Sequence, residues 1–364
     1  MTTAKTLYFT APKQLEIRDT ALPPLNDDEV LVETICSAIS AGTEMLVYCG
    51  QFPQLKDAHD FVSSELKYPL AYGYACVGKV KEVGKEVDRE WGDKLVFAFR
   101  SHTSLFAAKP ENLFPIPHSL SPENACFLPN METAVNLVQD GAPILGERAL
   151  VLGQGMVGLL TASLLSEFPL ESLVVVDQFE LRRNALQVEN SRLNVERLSP
   201  ENLKEKGLLN SAPGAKPVKF DTVIAKDNAK ETSSFGYAQS KFDLVFELSG
   251  SPLVLNDAIE HTAFSGRIVI GSWYGQKRAE IDLGGDFHRS RIRLISSQVS
   301  TISPELSGRW DKSRRFDVAW KALERIQPQK WITHRFPIDE ADKAYRLMDE
   351  CPQETMQVIF NYEI

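Results

Sequence analysis

The sequence is poor in cysteine and histidine, has no long apolar run and carries no excess of positive charge. Its five cysteines, Cys36, Cys49, Cys76, Cys126 and Cys351, are odd in number and scattered, with no C-x-x-C pair. That spacing excludes a disulfide framework and fits reduced thiols in a cytoplasmic protein. No apolar stretch approaches the roughly 20 residues that a bilayer span demands, so no membrane association is expected. The opening residues, MTTAKTLYFTAPKQLEIRD, hold no apolar signal core. A net charge of −9 argues against nucleic acid or an anionic membrane surface as the main partner. What is present is an ordinary globular composition, 43% hydrophobic and 24% charged, over 364 residues, long enough for two domains with separate cores.

The most informative stretch is Ala149–Asp177. The apolar run Ala149–Leu152 has the character of a parallel strand buried on both faces. It leads into Gly153-Gln154-Gly155-Met156-Val157-Gly158, a G-x-G-x-x-G, and then a helical apolar stripe. A second run, Leu173–Val176, ends in Asp177. Each part has a task in holding a dinucleotide. Gly153 permits the tight turn, Gly155 lets backbone approach a pyrophosphate, and Gly158 lets helix and strand sit close. The backbone of Gly155, Met156 and Val157 then faces the phosphates at the positive end of the helix. Asp177 falls 19 residues after Gly158, where a carboxylate meets the adenosine ribose hydroxyls. An acid there favours NAD(H) over NADP(H). Arg182 and Arg183 follow closely, Arg182 as a further cofactor candidate, with a solvated helix face as the alternative.

Residues 1–120 are read as all-β, with short β-rich runs separated by Pro, Gly, Asp and Asn. Ser121-Pro122-Glu123-Asn124 starts a helix. From 121 to 329 strands and helices alternate, which predicts a doubly wound parallel sheet. Its later strands are placed at Thr222–Ala225, Asp243–Glu247, Arg267–Gly271 and Arg293–Ser296, with a surface insertion at 199–241. A helix is predicted over Lys312–Ile326, and 330–364 returns to complete the first domain. Ser249-Gly250 and Gly271-Ser272 close strands of the parallel sheet and are expected beside the nicotinamide ribose.

This layout resembles the medium-chain dehydrogenase/reductase superfamily. The likeness includes ISAGTEMLVYCG (Ile39–Gly50), GYACVGKVKEVG (Gly73–Gly84) and the tail ITHRFPIDEADKAYRLM. It implies an α/β fold made of a GroES-like β domain plus a Rossmann sheet, a small-molecule substrate in the cleft between them, and a homodimer. Catalytic zinc in that superfamily takes a Cys, a His and a third ligand. Here the cysteine position falls near Ser40, and the His-Glu pair becomes Tyr74-Ala75. The four-cysteine structural lobe is missing, its place taken by Lys94–Ala108. Neutral hydroxyls do not replace thiolate and imidazole, so no zinc is expected. Among zinc-free branches, SAISAGTEMLVYCG resembles bacteriochlorophyllide dehydrogenases, and Ser272–Ser300 resembles a group of bacterial homologues.

Without a metal, the proton chemistry falls to side chains around the former site. The resemblance makes Thr43 the hydroxyl that relays the substrate proton; otherwise it caps the helix that follows. Tyr74 either donates to a carbonyl or fills the vacated space. Glu44 is placed to orient Tyr74. His102 is the preferred acid–base candidate, set at the cleft mouth, with a satisfied core histidine as the alternative. Asn130 and Glu132 lie near the third ligand position. His288, Arg289, Arg291 and Arg293, extended by Arg309, Arg314 and Arg315, either hold an anionic substrate or are solvated charge. The leading function is NAD(H)-dependent hydride transfer to or from a hydroxyl or carbonyl of a large or anionic substrate. The alternatives are an NADPH-dependent quinone or enone reductase and a non-catalytic dinucleotide binder.

Overall fold

The computed structural model describes residues 2–52, 66–187, 193–209 and 241–362. The chain opens with β1 (Thr3–Ala11), β2 (Gln14–Ala21), β3 (Val30–Ala38), the short helix α1 (Thr43–Tyr48), β4 (Leu70–Ala71) and β5 (Cys76–Val83). After these come β6 (Leu95–Ala98), β7 (Leu105–Ala108) and β8 (Phe114–Pro115). The alternating half follows with α2 (Pro122–Ala125), α3 (Leu128–Gly141), β9 (Arg148–Leu152), α4 (Met156–Leu165), β10 (Ser172–Val176), α5 (Glu180–Ala185) and β11 (Asn194–Leu198). It continues with α6 (Pro200–Leu209), β12 (Phe242–Glu247), α7 (Val254–His261), β13 (Thr262–Ile270), α8 (Asp286–Arg289), β14 (Arg293–Ser296) and α9 (Lys312–Ile326). The tail is β15 (Ile332–Pro337), α10 (Ala341–Glu350) and β16 (Gln357–Asn361).

β9 to β14 form a six-stranded parallel sheet in the order β11-β10-β9-β12-β13-β14. Its first strand lies at the centre, where the order reverses, and ligands collect at the carboxyl ends of strands beside such a switch point. The apolar run of β9 feeds both faces. Ala149 and Val151 enter the core beneath α3, α4 and α9, while Leu150 and Leu152 enter the opposite core with Ala258, Ile259 and Ile268. Doubly covered strands therefore read as unbroken hydrophobic runs. The expected α/β architecture with a parallel sheet and an antiparallel partner is what the chain adopts.

The other half holds a seven-stranded sheet, β15-β16-β3-β5-β6-β8 with β7 also on β3, and a three-stranded sheet β2-β1-β4. β16 pairs antiparallel with β3, Ile359 opposite Ala38, so the tail is woven into the N-terminal sheet. Ser121 caps α2 by accepting from Asn124 N at 3.2 Å. The third strand of the parallel sheet is Asn194–Leu198, while the run Thr222–Ala225 expected to be a strand lies outside the described residues. The segment from 199 begins as a helix, α6, with Leu203 buried, not as a loop; its remainder, 210–240, also lies outside them. Among the described residues no helix is long and apolar enough to cross a membrane.

Candidate active site

The candidate residues fall into two clusters. The first is the turn between β9 and α4. Gly153 has φ +97°, and a Cβ on it would lie 2.5 Å from Leu248 O; a Cβ on Gly158 would lie 2.0 Å from Gly153 O. These two glycines are demanded by the fold itself. Gly155 differs, because nothing in the protein lies within 4 Å of the Cβ it lacks. The space it leaves is open, which is the cradle a pyrophosphate requires beside the Met156 and Val157 amides. Asp177 ends β10, buried, and accepts from Gln154 N and Phe179 N at 2.8 Å each. The carboxylate is thereby fixed at the strand's carboxyl end.

The remaining cofactor candidates divide. Gly250 (φ +74°) donates through its N–H to Ser272 Oγ at 2.9 Å, which ties the turns after β12 and β13 together. Gly271 is required for packing, since a Cβ there would meet Leu137 and Leu248 at 2.6 Å. Ser249 donates to the buried Glu247 carboxylate through its N–H at 2.9 Å and through its hydroxyl, and Tyr274 donates to the other oxygen. Glu247 and Tyr274 escaped the sequence reading, because an acid inside an apolar strand run carries no periodic signal. Arg182 is placed elsewhere than expected. Its guanidinium donates to Thr355 O and Pro352 O and lies over Phe179, so it anchors the tail. Arg183 also lies beside Asp177, donating to its backbone carbonyl at 2.8 Å.

The second cluster gathers Ser40, Thr43, Glu44 and Tyr74. Tyr74 OH donates to Ser40 Oγ at 2.5 Å, and Ser40 Oγ also takes the Thr43 N–H at 3.4 Å. Glu44 Oε1 accepts from Ser40 N at 2.8 Å, a reciprocal arrangement akin to a capping box. Thr43 is thus the first residue of α1, and Gly42 precedes it as a cap without a side-chain bond. Burial and the neighbouring Glu44 charge push the Tyr74 phenol up to about 12. At neutral pH it is a donor. Ser40, Thr43 and Tyr74 are half-buried as whole residues.

His102 is not at the cleft mouth. It is fully enclosed, with Nε2 on Glu44 at 2.9 Å and Nδ1 on Ser37 Oγ at 2.7 Å. The turn between β6 and β7 packs inward, with the imidazole against Ser37 at the end of β3. The basic cluster also parts company. Arg315 is buried and bound by Glu132 Oε1 (2.9 Å), Asn136 Oδ1 (2.5 Å), Thr301 O and Val299 O, so it and Glu132 are structural. Arg314 lies over Trp310 and donates to Arg309 O. His288, Arg289, Arg291, Arg293 and Arg309 are exposed, and Asn130 is half-buried. Among the described residues no group of three or more His, Cys, Asp or Glu is placed to hold a metal ion. At the two aligned ligand positions the donors are the hydroxyls of Ser40 and Tyr74, a set that does not suit zinc.

The resemblance drawn from motifs is now matched by whole-chain comparison. No family model matches the chain. Sorbitol dehydrogenase 1 of Saccharomyces cerevisiae is 24% identical over 317 residues, 77% of this chain and 78% of its own. The starvation-sensing protein RspB of Escherichia coli is 20% identical across 98% of this chain and 99% of its own. Among solved structures, 2R,3R-butanediol dehydrogenase of Bacillus subtilis superposes with a TM-score of 0.72 at 17% identity, over 98% of this chain and 99% of its own. These similarities support the resemblance to the medium-chain dehydrogenase/reductase superfamily. Two further proteins with the same fold were solved with NADH, in RspB of E. coli at TM-score 0.70, and with NADP, in a Sinorhizobium meliloti protein described as a zinc-binding dehydrogenase at TM-score 0.72. The first covers 99% of each chain at 17% identity, the second 99% of this chain and 100% of its own at 16%.

Proposed function

We propose that this protein is a zinc-independent, NAD(H)-preferring oxidoreductase that interconverts a hydroxyl and a carbonyl group on a small molecule. The observation that carries the reading is the Tyr74–Ser40 hydroxyl pair, 2.5 Å apart, standing where zinc-dependent members place two ligands. Nicotinamide, when bound, supplies the hydride donor or acceptor. The chain supplies the rest. Tyr74, protonated at neutral pH, holds a carbonyl oxygen and gives it a proton, which Ser40 or Thr43 can replace from the solvent side. In the oxidative direction the same hydroxyls take the proton in turn. Residues 1–120 with 330–364 are taken as the substrate domain and 121–329 as the cofactor domain. The Gln276 side chain and N–H, both donating at 3.0 Å to the carbonyls of Phe52 and Gln51, hold the two together at the cleft.

Asp177 supports the NAD preference, because a 2′-phosphate would face a fixed carboxylate. The relatives' names include a polyol and a diol dehydrogenase, which favours a hydroxyl-bearing substrate here as well. Arg315 is spent inside the fold, so an anionic substrate would depend on the exposed His288, Arg289, Arg291, Arg293, Arg309 and Arg314. A homodimer through the free edge of β14, where Leu294 is 38% exposed, completes the reading. The test is elemental analysis of the purified protein together with NADH and NADPH dissociation constants by fluorescence. The expected outcome is metal-free protein binding NADH at least tenfold tighter, about 1.4 kcal/mol. Stoichiometric zinc, or a preference for NADPH, would transfer the case to the zinc or the enone-reductase reading.

A further inference from the structure

Behind the Ser40 and Tyr74 hydroxyls runs a chain of polar groups shut off from solvent. Glu44 and His102 are both 0% exposed. Glu44 Oε2 accepts from His102 Nε2 at 2.9 Å and from Tyr345 OH at 2.5 Å, while Oε1 accepts from Ser40 N at 2.8 Å. On the far side of the imidazole, Nδ1 lies 2.7 Å from Ser37 Oγ, which lies 2.8 Å from Tyr362 OH. One proton assignment satisfies every member. Tyr362 donates to Ser37, Ser37 donates to Nδ1, and Nε2–H donates to Glu44. With Tyr345 and Ser40 N that gives the Glu44 carboxyl three donors.

The same imidazole touches the other half of the hydroxyl pair. Gly73 has φ +121°, and a Cβ on it would lie 2.8 Å from His102 Cδ2. His102 N also donates to Tyr72 O at 3.4 Å. The ring is therefore packed on the residue before Tyr74, and the φ there is one that glycine accepts freely. One side chain sets Ser40 by way of Glu44 and Tyr74 by way of Gly73. Apolar groups of equal volume would fill this space, but they would leave the azimuth of the Glu44 carboxylate unfixed, whereas directional hydrogen bonds fix it.

We propose that His102 is a positioning residue, with Tyr345 its partner, that holds the Ser40 and Tyr74 hydroxyls in register by clamping Glu44 and Gly73 at once. The proposal rests on the reading of that hydroxyl pair as the oxygen-binding element. His102 acts only through its neighbours, since the imidazole is enclosed and meets no substrate.

The experiment compares the full-length wild type with Tyr345→Phe, His102→Leu and His102→Gln. Thermal midpoints and NADH dissociation constants establish folding and an intact cofactor half. kcat and KM are then measured for NADH-dependent reduction of whichever ketone in a screening panel the wild type turns over fastest. A displacement on the order of 1 Å at a reacting group costs about a hundredfold in rate. The expected result for Tyr345→Phe and His102→Leu is accordingly a fall in kcat of about ten- to a hundredfold, with KM and NADH affinity within about threefold. His102→Gln, which keeps a donor for Glu44, recovers part of the loss. An unchanged kcat in either folded variant, or no recovery with glutamine, overturns the proposal. Tyr345→Phe removes a single hydroxyl and keeps the test open should His102→Leu fail to fold. If the wild type turns over no ketone or alcohol, that result counts against the functional reading alone. Crystal structures of wild type and Tyr345→Phe then decide: a displaced Ser40 hydroxyl supports the positioning role, and an unmoved Ser40–Tyr74 pair overturns it.

Discussion

In the proposed reading, the phenol of Tyr74 concentrates the chemistry at the scale of single residues. Its ring packs against the core beneath the N-terminal sheet and meets Tyr72 edge-on at 6.5 Å, so the side chain is held by more than its hydroxyl. Tyr74→Phe removes the donor and keeps this packing. The expected outcome is a loss in kcat of about a hundredfold or more, the scale of a positioned acid, with thermal midpoint and NADH affinity unchanged. A kcat within about threefold of wild type would move the proton chemistry to Thr43 or elsewhere. Thr43, Glu44 and Tyr74 were legible in the sequence only because the superfamily motif aligns them. Nothing in their own spacing says that Tyr74 bonds Ser40 from 34 positions away. Ser37, Tyr345 and Tyr362 gave no signal, since a buried serine or tyrosine looks like any other in a strand or helix.

At the scale of elements, the turn from β9 into α4 separates two demands that one motif combines. Gly158 is required by the fold, because its missing Cβ would meet the backbone oxygen of Gly153 at 2.0 Å. Gly155 faces open space and is required only if a ligand fills it. Gly155→Ala should therefore leave the thermal midpoint within about 2 °C while weakening NADH binding by about tenfold or more, a loss of roughly 1.4 kcal/mol. Gly158→Ala should lower both. Equal NADH affinity in wild type and Gly155→Ala would show that no phosphate lies against that turn. This strand–turn–helix unit was readable because all its signals are local. β11 was not: as an edge strand with one neighbour and half-exposed residues, Asn194–Leu198 lacks the apolar run of the inner strands.

For the molecule as a whole, pH acts through groups that folding removes from water. His261, at the end of α7, is 4% exposed, and burial lowers its pKa below the ordinary 6.5. The folded chain keeps the ring neutral where the unfolded chain already binds a proton. Below about pH 6.5 the unfolded state therefore gains protons that the folded state refuses, and stability falls with pH until the folded ring titrates too. Denaturant midpoints measured between about pH 8 and pH 5 should decline in wild type, and the decline should be shallower in His261→Gln. Identical slopes would assign the pH dependence to other groups. The buried Arg315–Glu132 pair joins α9 to α3 in the same half of the molecule, which is why Arg315 is unavailable at a pocket rim.

The sequence by itself determined the parallel sheet around β9, the glycine turn from β9 into α4 and the acid that follows β10. Each is written in residues at most some thirty apart, where strand period, glycine conformation and helix stripe act directly on the neighbouring chain. The tertiary structure alone decided that His102 is enclosed, that Arg182 serves the tail and that Glu44 is the junction of the site. Those outcomes depend on partners 58 and 301 positions from His102 and Glu44, and 173 from Arg182. Charge and hydrogen-bonding capacity are local properties of a side chain, but which partner satisfies them is settled only when distant elements pack together.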